Sequence, residues 1–264
     1  MFDIYKDMWA RRRMIHELSL QEFKKEYAGT FLGFLWGLVN PLMRIAVFWF
    51  VFSIGARVGS PIDGAPYIVW LAVGLVGWFF INDGFRLTQK TYRSKRGIIK
   101  NTPFPTSVLP AVEVVFSYYK HLILLAVILL VYAVSLGGFS IYWLQIIYYD
   151  FAAFMLLLCI GSIMAPIVAV SKDFGRFLDT SLVFLFWMTP IFWSPYHLDG
   201  VLAKLVALNP FNYIVQGYRD SIIFEIGYWE HPWYTLYFWS LTLFLFIIGN
   251  YTYKRMKPIF LDTL

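Results

Sequence analysis

Few side chains in this 264-residue sequence have the type and spacing that bond-making chemistry needs. The four histidines, His16, His121, His197 and His231, are scattered and form no familiar metal-ligand spacing. Cys159 is the one cysteine and sits in an apolar run, so neither a disulfide framework nor a thiolate metal site can be built. No glycine-rich loop ending in Lys-Ser or Lys-Thr occurs, and the chain therefore has no phosphate cradle of that type for ATP. A Gly-x-Ser-x-Gly elbow is absent, and paired carboxylates for acid–base work are not obvious. The enzymatic reading left open is a membrane-embedded glycosyl or phosphoglycosyl transferase, which lacks an acid–base cluster to support it.

The chemistry that is present consists of isolated charges and many rings in apolar surroundings. Arg44 lies about eleven residues into an apolar run, roughly 16 Å along a helix rising 1.5 Å per residue. At mid-membrane such a charge faces the bundle interior or a wet cavity. It either attracts an anionic group of a passing substrate or is held by an internal carboxylate, with Asp83, Glu113 and Asp150 as candidates. Glu113 and Lys120 are seven residues apart, on one helical face, and suit a shared polar seam. Trp49, Tyr118, Tyr119, Phe184 and Trp187 lie away from the ends of the apolar runs. Their flat apolar faces serve core packing, and a subset suits sugar rings sliding along a path.

The elements that hold these residues follow from composition. Hydrophobic residues make up 59% of the chain, aromatics 21% and charged residues 14%, and the mean hydropathy is +0.62. A soluble globule carries about 25% charged residues, so lipid is the solvent for much of this chain. A spanning helix needs about 20 mainly apolar residues. Six stretches fit approximately: 34–56, 67–85, 110–136, 141–170, 177–193 and 233–253. The net charge of +6 would suggest nucleic acid in a soluble protein, but the basic residues are placed as an orientation signal. Seventeen of the 22 lie on one side of a six-span topology, in segments before span one, after spans two and four, and after span six. The expected fold is an all-α integral membrane protein with both termini cytoplasmic and no separate soluble domain. No cleavable leader pattern precedes the first apolar run.

The polar segments read as follows. Ile4, Met8 and Ile15 form one helical stripe before span one, and Leu20, Phe23 and Tyr27 form another. Ser19 with Glu22 has the spacing of a capping box, so residues 1–30 read as an interfacial helix or helix pair. Arg86 to Asn101 reads as a positive loop or a short protruding helix. Gly29, Gly33 and Gly37 repeat every four residues and would open one helical face to close approach, with Pro41 loosening the helix beyond them. Residues 194–232 are too polar to span yet too aromatic for a solvated loop. There Asn209 and Pro210 make a helix start, which would carry Tyr213, Gln216, Arg219 and Asp220 on a partly polar surface at an extracellular mouth.

Five segments together resemble the permease subunits of ABC-2 type exporters of polysaccharide and teichoic acid, over essentially the full length. They are LGFLWGLVNPLMRIAVFWFVF from Leu32, PIDGAPYIVWLAVGLVGWFFINDG from Pro61, KNTPFPTSVLPA from Lys100, VSKDFGRFLDTSLVFLFWMTPIFW from Val170 and LNPFNYIVQGYRDSI from Leu208. The second and last are most similar to the teichoic acid translocation permeases. The resemblance implies one transmembrane domain over 1–264 in a bacterial cell membrane: an interface helix in 1–30, spans one to five in 31–193, a re-entrant segment in 194–232, and span six with a cytoplasmic tail in 233–264. It implies a homodimer bound to two copies of a separate ATPase, with ATP and magnesium on that partner, no cofactor in this chain, and a lipid-linked anionic polymer as substrate. Membrane lipids are further partners; nucleic acid is not.

The resemblance also implies residue roles. Lys90, Arg93, Lys95, Arg96 and Lys100 would contact the ATPase, as would Lys172, Asp173 and Arg176, although the family more often has arginine where Lys172 stands. Asn209, Pro210, Tyr213 and Arg219 would shape the exit. Arg11, Arg12 and Arg13 are candidates to gather the pyrophosphate of the lipid carrier, and Arg44, Trp49, Tyr118, Tyr119, Phe184 and Trp187 to line the path. A drug or antibiotic exporter of the same architecture would share every topology feature.

Overall fold

A computed structural model describes all residues except 1–2, 58, 61–65, 137 and 196–197. His197 and the first five residues of the segment resembling the exporters at Pro61 therefore lie outside the described residues. Those described form helices and connections, with no strand among them. In chain order the helices are α1 Asp3–Ala10, α2 Arg12–Tyr27, α3 Trp36–Trp49, α4 Tyr67–Ser94, α5 Arg96–Asn101, α6 Leu109–Leu136, α7 Gln145–Val170, α8 Lys172–Met188, α9 Gly200–Ala207, α10 Pro210–Arg219 and α11 Pro232–Thr263.

Among the described residues, five helical stretches are long and apolar enough to cross a membrane: Gly33–Gly55, Tyr67–Asn101, Thr106–Ser135, Ile141–Val170 and Pro232–Thr263. These match five of the six expected spans. The other, expected over 177–193, falls on α8, whose 17 residues rise about 25 Å, and on the non-helical stretch that follows.

Three contacts fix how α8 runs. Asp179 accepts from Gln89 at 2.8 Å and pairs with Lys90 at 2.9 Å, near the end of α4. Phe186 meets Trp78 at a centroid distance of 5.3 Å, at mid-helix. The Phe192 carbonyl accepts from the Tyr67 hydroxyl at 2.8 Å, at the start of α4. The chain from 179 to 192 thus runs antiparallel to α4 over nearly its whole length.

The packing has two centres. The larger core forms where α4 and α7 meet α6 and α10, around Trp70, Leu75, Ile81, Leu156 and Tyr218. Close contact there depends on residues without a side chain: a Cβ at Gly161 on α7 would lie 2.1 Å from Thr88 Cγ2 on α4. The smaller core joins the chain's two ends. Ile4, Met8 and Ile15, the stripe expected from sequence, pack with Tyr92, Val108, Tyr253 and Phe260. Tyr5 stacks on Phe246 at 3.8 Å, Thr106 bonds Tyr253 at 3.0 Å, and the Ile4 N–H reaches Asn250 Oδ1 at 3.4 Å. Both termini, α5 and the α7–α8 junction therefore lie at one end of the bundle.

Two local expectations are corrected. The capping box at Ser19 and Glu22 does not form, because α2 runs unbroken from Arg12 to Tyr27. Ser19 is buried instead, donating to Ile15 O at 2.7 Å and Val112 O at 2.9 Å, and the break between helices falls at Arg11. The glycine repeat does not make a helical face either. Gly29 and Gly33 take φ of +75° and +54° in the connection before α3, a left-handed conformation that glycine adopts without steric cost. Only Gly37 lies in the helix, beneath the Tyr27 hydroxyl.

Gly161→Leu overfills the α4–α7 contact and is expected to cost about 1–3 kcal/mol. A lowered midpoint in thermal unfolding of the purified protein is the corresponding readout.

Candidate functional site

Toward the end that carries both termini, Arg86, Lys90 and Lys95 are held by carboxylates from other helices. Glu22 of α2 pairs with Lys95, which lies 3.9 Å from Glu113; Thr91 donates to the same Glu113 at 3.1 Å. This chain of charges ties the interfacial helix to α4 and α6. Arg86 and Lys90 share Asp179, tying α8 to α4. Arg96 and Lys100 are exposed on α5, Arg93 is half-buried, and Lys172 is exposed at the start of α8. Asp173 and Arg176 pair at 3.2 Å in full solvent exposure, where such a pair contributes little. Ser171 caps α8 by accepting from the Phe174 N–H at 3.3 Å.

At the same end Asp7 accepts from Ser107 and, at 2.8 Å, from Arg11. Partial burial works to raise the Asp7 carboxyl, but those two hydrogen bonds outweigh it and hold the group below its usual range. Arg12 lies over the Trp9 ring at 5.4 Å, and Arg13 is exposed. The three consecutive arginines thus lie at the turn between α1 and α2.

The opposite end is built around α10. Asn209 is its N-cap, accepting from the Phe211 N–H at 3.0 Å, with Pro210 in the first turn. The Asn209 amide also donates to Thr189 Oγ1 at 2.9 Å, attaching the helix start to the end of α8. A π-turn over Asp220–Phe224 continues the helix. Tyr213 bonds Tyr148 at 2.8 Å and Thr235 at 3.0 Å, joining α10 to α7 and α11.

Arg219 departs most from its expected setting. It is fully buried, not on a polar surface. Its guanidinium lies 3.6 Å from the centre of the Trp70 ring and donates to the carbonyls of Pro190 at 2.5 Å and Ile191 at 2.9 Å. Gly74 leaves the room, since a Cβ there would come within 2.5 Å of Arg219 Nη2. Asp220 and Tyr213 are buried as well. Of the four residues expected on the polar surface of α10, Gln216 alone stays partly open, donating to Asp220 at 2.9 Å.

Next to Arg219, Tyr218 enters a buried polar cluster absent from the sequence reading. Its hydroxyl donates to Asp150, which also accepts from Tyr118 at 3.2 Å and lies 3.1 Å from His121 Nε2. Asp150 therefore serves His121 and two tyrosines. Arg44 finds none of the three proposed carboxylates as a partner: among the described residues it makes no ion pair and lies 5.9 Å from the Phe79 ring. Asp83 instead pairs with Lys120 at 3.1 Å, so the seam expected for Glu113 and Lys120 exists, running between α4 and α6.

The candidate path residues do not converge within one chain. Tyr118 faces Asp150, whereas Tyr119 bonds His16 at 2.6 Å on the α2 side. Trp49 packs on the larger core. Phe184 and Trp187 lie exposed on α8, as do Met43, Val47 and Val51 along the segment from α3 to Gly55.

Replacing Arg219 by methionine strands two buried carbonyls, and each lost bond of this type costs about 1–3 kcal/mol. Arg219→Met is expected to lower the thermal midpoint sharply and Arg219→Lys to lower it less, because lysine keeps the charge without the planar fork. Equal, small effects of both would contradict the anchoring role.

Three relatives named O-antigen export system permease protein RfbA are similar along most of the chain. One from Klebsiella pneumoniae is 24% identical over 250 residues, covering 94% of this chain and 93% of the relative. A second from that species is 23% identical over 255 residues, with 94% and 93% covered, and one from Myxococcus xanthus is 24% identical over 229 residues, with 85% of each covered. The ABC-2 type transporter family matches residues 15–223, from the first turn of α2 through α10 to the π-turn. With that match over most of its length, on a bundle of apolar helices, the chain belongs to the ABC-2 type transporter family.

Proposed function

We propose that the chain is the permease subunit of an ATP-driven exporter of polysaccharide in a bacterial cell membrane. The full-length similarity to permeases named for O-antigen export carries this reading. The ATPase is a separate subunit in two copies, bringing ATP and magnesium, because this chain has no phosphate-cradling loop of its own. Its docking surface is the exposed basic face of α5 with the Lys172–Arg176 turn. The permease acts as a homodimer, with α3 and α8 facing the second copy so that rings such as Phe184 and Trp187 line a path between subunits. The polymer is lipid-linked, of the teichoic acid or O-antigen kind, and Arg11, Arg12 and Arg13 gather the pyrophosphate of its carrier at the inner leaflet.

Export requires a fixed sidedness, and the reading is a six-span topology with both termini cytoplasmic. The antiparallel run of residues 179–192 along α4 supports α8 as the additional crossing, although its helix is short. The placement of seventeen basic residues supports the orientation. Residues 194–232 then form a re-entrant segment on the outside. Backbone away from regular helix is tolerated there because protein groups satisfy it.

Cys159 is buried, so it gives a silent background for labelling. In intact cells a membrane-impermeant maleimide should label Lys204→Cys on α9 and spare Lys6→Cys and Lys257→Cys; labelling of either terminal variant from outside would exclude the topology. Co-purification with an ATPase, followed by ATP-dependent export of lipid-linked teichoic acid and O-antigen polymers in vesicles, tests the function and separates the two substrates. Replacing Arg11, Arg12 and Arg13 together by glutamate should reduce export and leave assembly intact; unchanged export would remove these residues from substrate entry.

A further inference from the structure

A polar pocket of about 160 Å³ opens where α2, α3, α4 and α6 meet, on the termini-bearing side of the bundle. At about 30 Å³ per water it holds roughly five waters, the scale of one sugar ring. Its charges are nearly balanced. Lys120 is neutralised by Asp83 at 3.1 Å and Glu26 at 3.7 Å, so among the described residues Arg44 is left as the one cation in the wall without a carboxylate within ion-pair distance. A bare phosphate would meet Asp83 and Glu26 as well as Arg44, whereas a neutral polyhydroxylated ring meets no net repulsion.

The wall offers what such a ring binds. Asn40 and Arg44 on α3 line the pocket, and their planar amide and guanidinium match adjacent hydroxyl pairs. Trp36 and Phe79 provide flat apolar faces for the ring's C–H surface. His121 of α6 forms part of the same wall with its side chain fully buried. Its orientation is held by Asp150 and Tyr218 at Nε2 and by Phe80 stacked at 4.9 Å.

We propose that this pocket binds one sugar ring of the exported polymer, with Arg44 and Asn40 addressing its hydroxyls and Trp36 or Phe79 covering an apolar face. The assignment rests on the polysaccharide-export reading.

The test uses the full-length chain in nanodiscs free of glycoside detergent, with methyl glycosides of mannose, glucose, galactose and N-acetylglucosamine as probes and saturation-transfer NMR as readout. At least one glycoside should show transfer that falls about tenfold in Arg44→Gln, the loss expected for one hydrogen bond to a charged group, and that falls also in Asn40→Ala. Arg44 is exposed and without an ion pair, so both proteins should melt at the wild-type temperature. No transfer with any glycoside, undiminished transfer in Arg44→Gln, or displacement of the glycoside by inorganic phosphate would overturn the proposal. ATP-dependent export by the wild type is measured in parallel. Export without glycoside binding refutes the pocket alone, and binding without export of any polymer refutes the functional reading instead.

Discussion

Beyond Met188 the chain leaves helical geometry while still inside the bundle, and a backbone that does so in apolar surroundings must find partners within the protein. Thr189 and Ile191 are fully buried and Phe192 nearly so. The carbonyls of Pro190 and Ile191 are met by the two ends of one guanidinium, Arg219. Taking that cation out of water costs several kcal/mol. Two charge-assisted hydrogen bonds at about 1.5–3 kcal/mol each and a desolvated contact with Trp70, of about 2 kcal/mol, are of the size needed to offset it. The arrangement depends in turn on Gly74, because any side chain there would occupy the space of Nη2.

This anchoring decides the outline of the whole bundle. Since Arg219 stands at the end of α10 and Asn209 at its start, the helix is clamped at both ends to the stretch that follows α8. It also lies between α4 and α7, where Tyr218 joins the cluster around Asp150. A disturbance at α10 therefore meets two rigid connections, one to the end of α8 and one to His121 on α6. The termini-bearing end is held differently, by aromatic stacking and exchangeable ion pairs such as Glu22 with Lys95 and Asp179 with Lys90. Such contacts can break and re-form in water, whereas the buried guanidinium makes a fixed frame.

Much was legible in the sequence because the relevant signals are local. Five spans lie where apolar runs of sufficient length predicted them, and the stripe of Ile4, Met8 and Ile15 is buried as its periodicity implied. Asn209 and Pro210 start a helix because capping involves only the next few residues. The same local logic misled at Ser19 and Glu22. That spacing is a capping box only if the helix begins there, and Ser19 instead found the Val112 carbonyl, 93 residues away. The glycine repeat misled likewise, since spacing says nothing of the φ that Gly29 and Gly33 adopt in a turn.

The sequence by itself determined the apolar setting of this protein, its helical class and the one-sided bias of its basic residues, because hydropathy and charge count are sums over short stretches of chain. Tertiary structure alone decided which charges are partnered. Arg219 looked like a mouth residue and is buried on backbone carbonyls; Asp83 turned to Lys120 and left Arg44 without a carboxylate; Asp150 was taken by His121 and two tyrosines. Each of these choices is a competition among groups far apart in sequence for one partner within hydrogen-bond reach. Its outcome depends on packing distances of a few ångströms that no local pattern encodes.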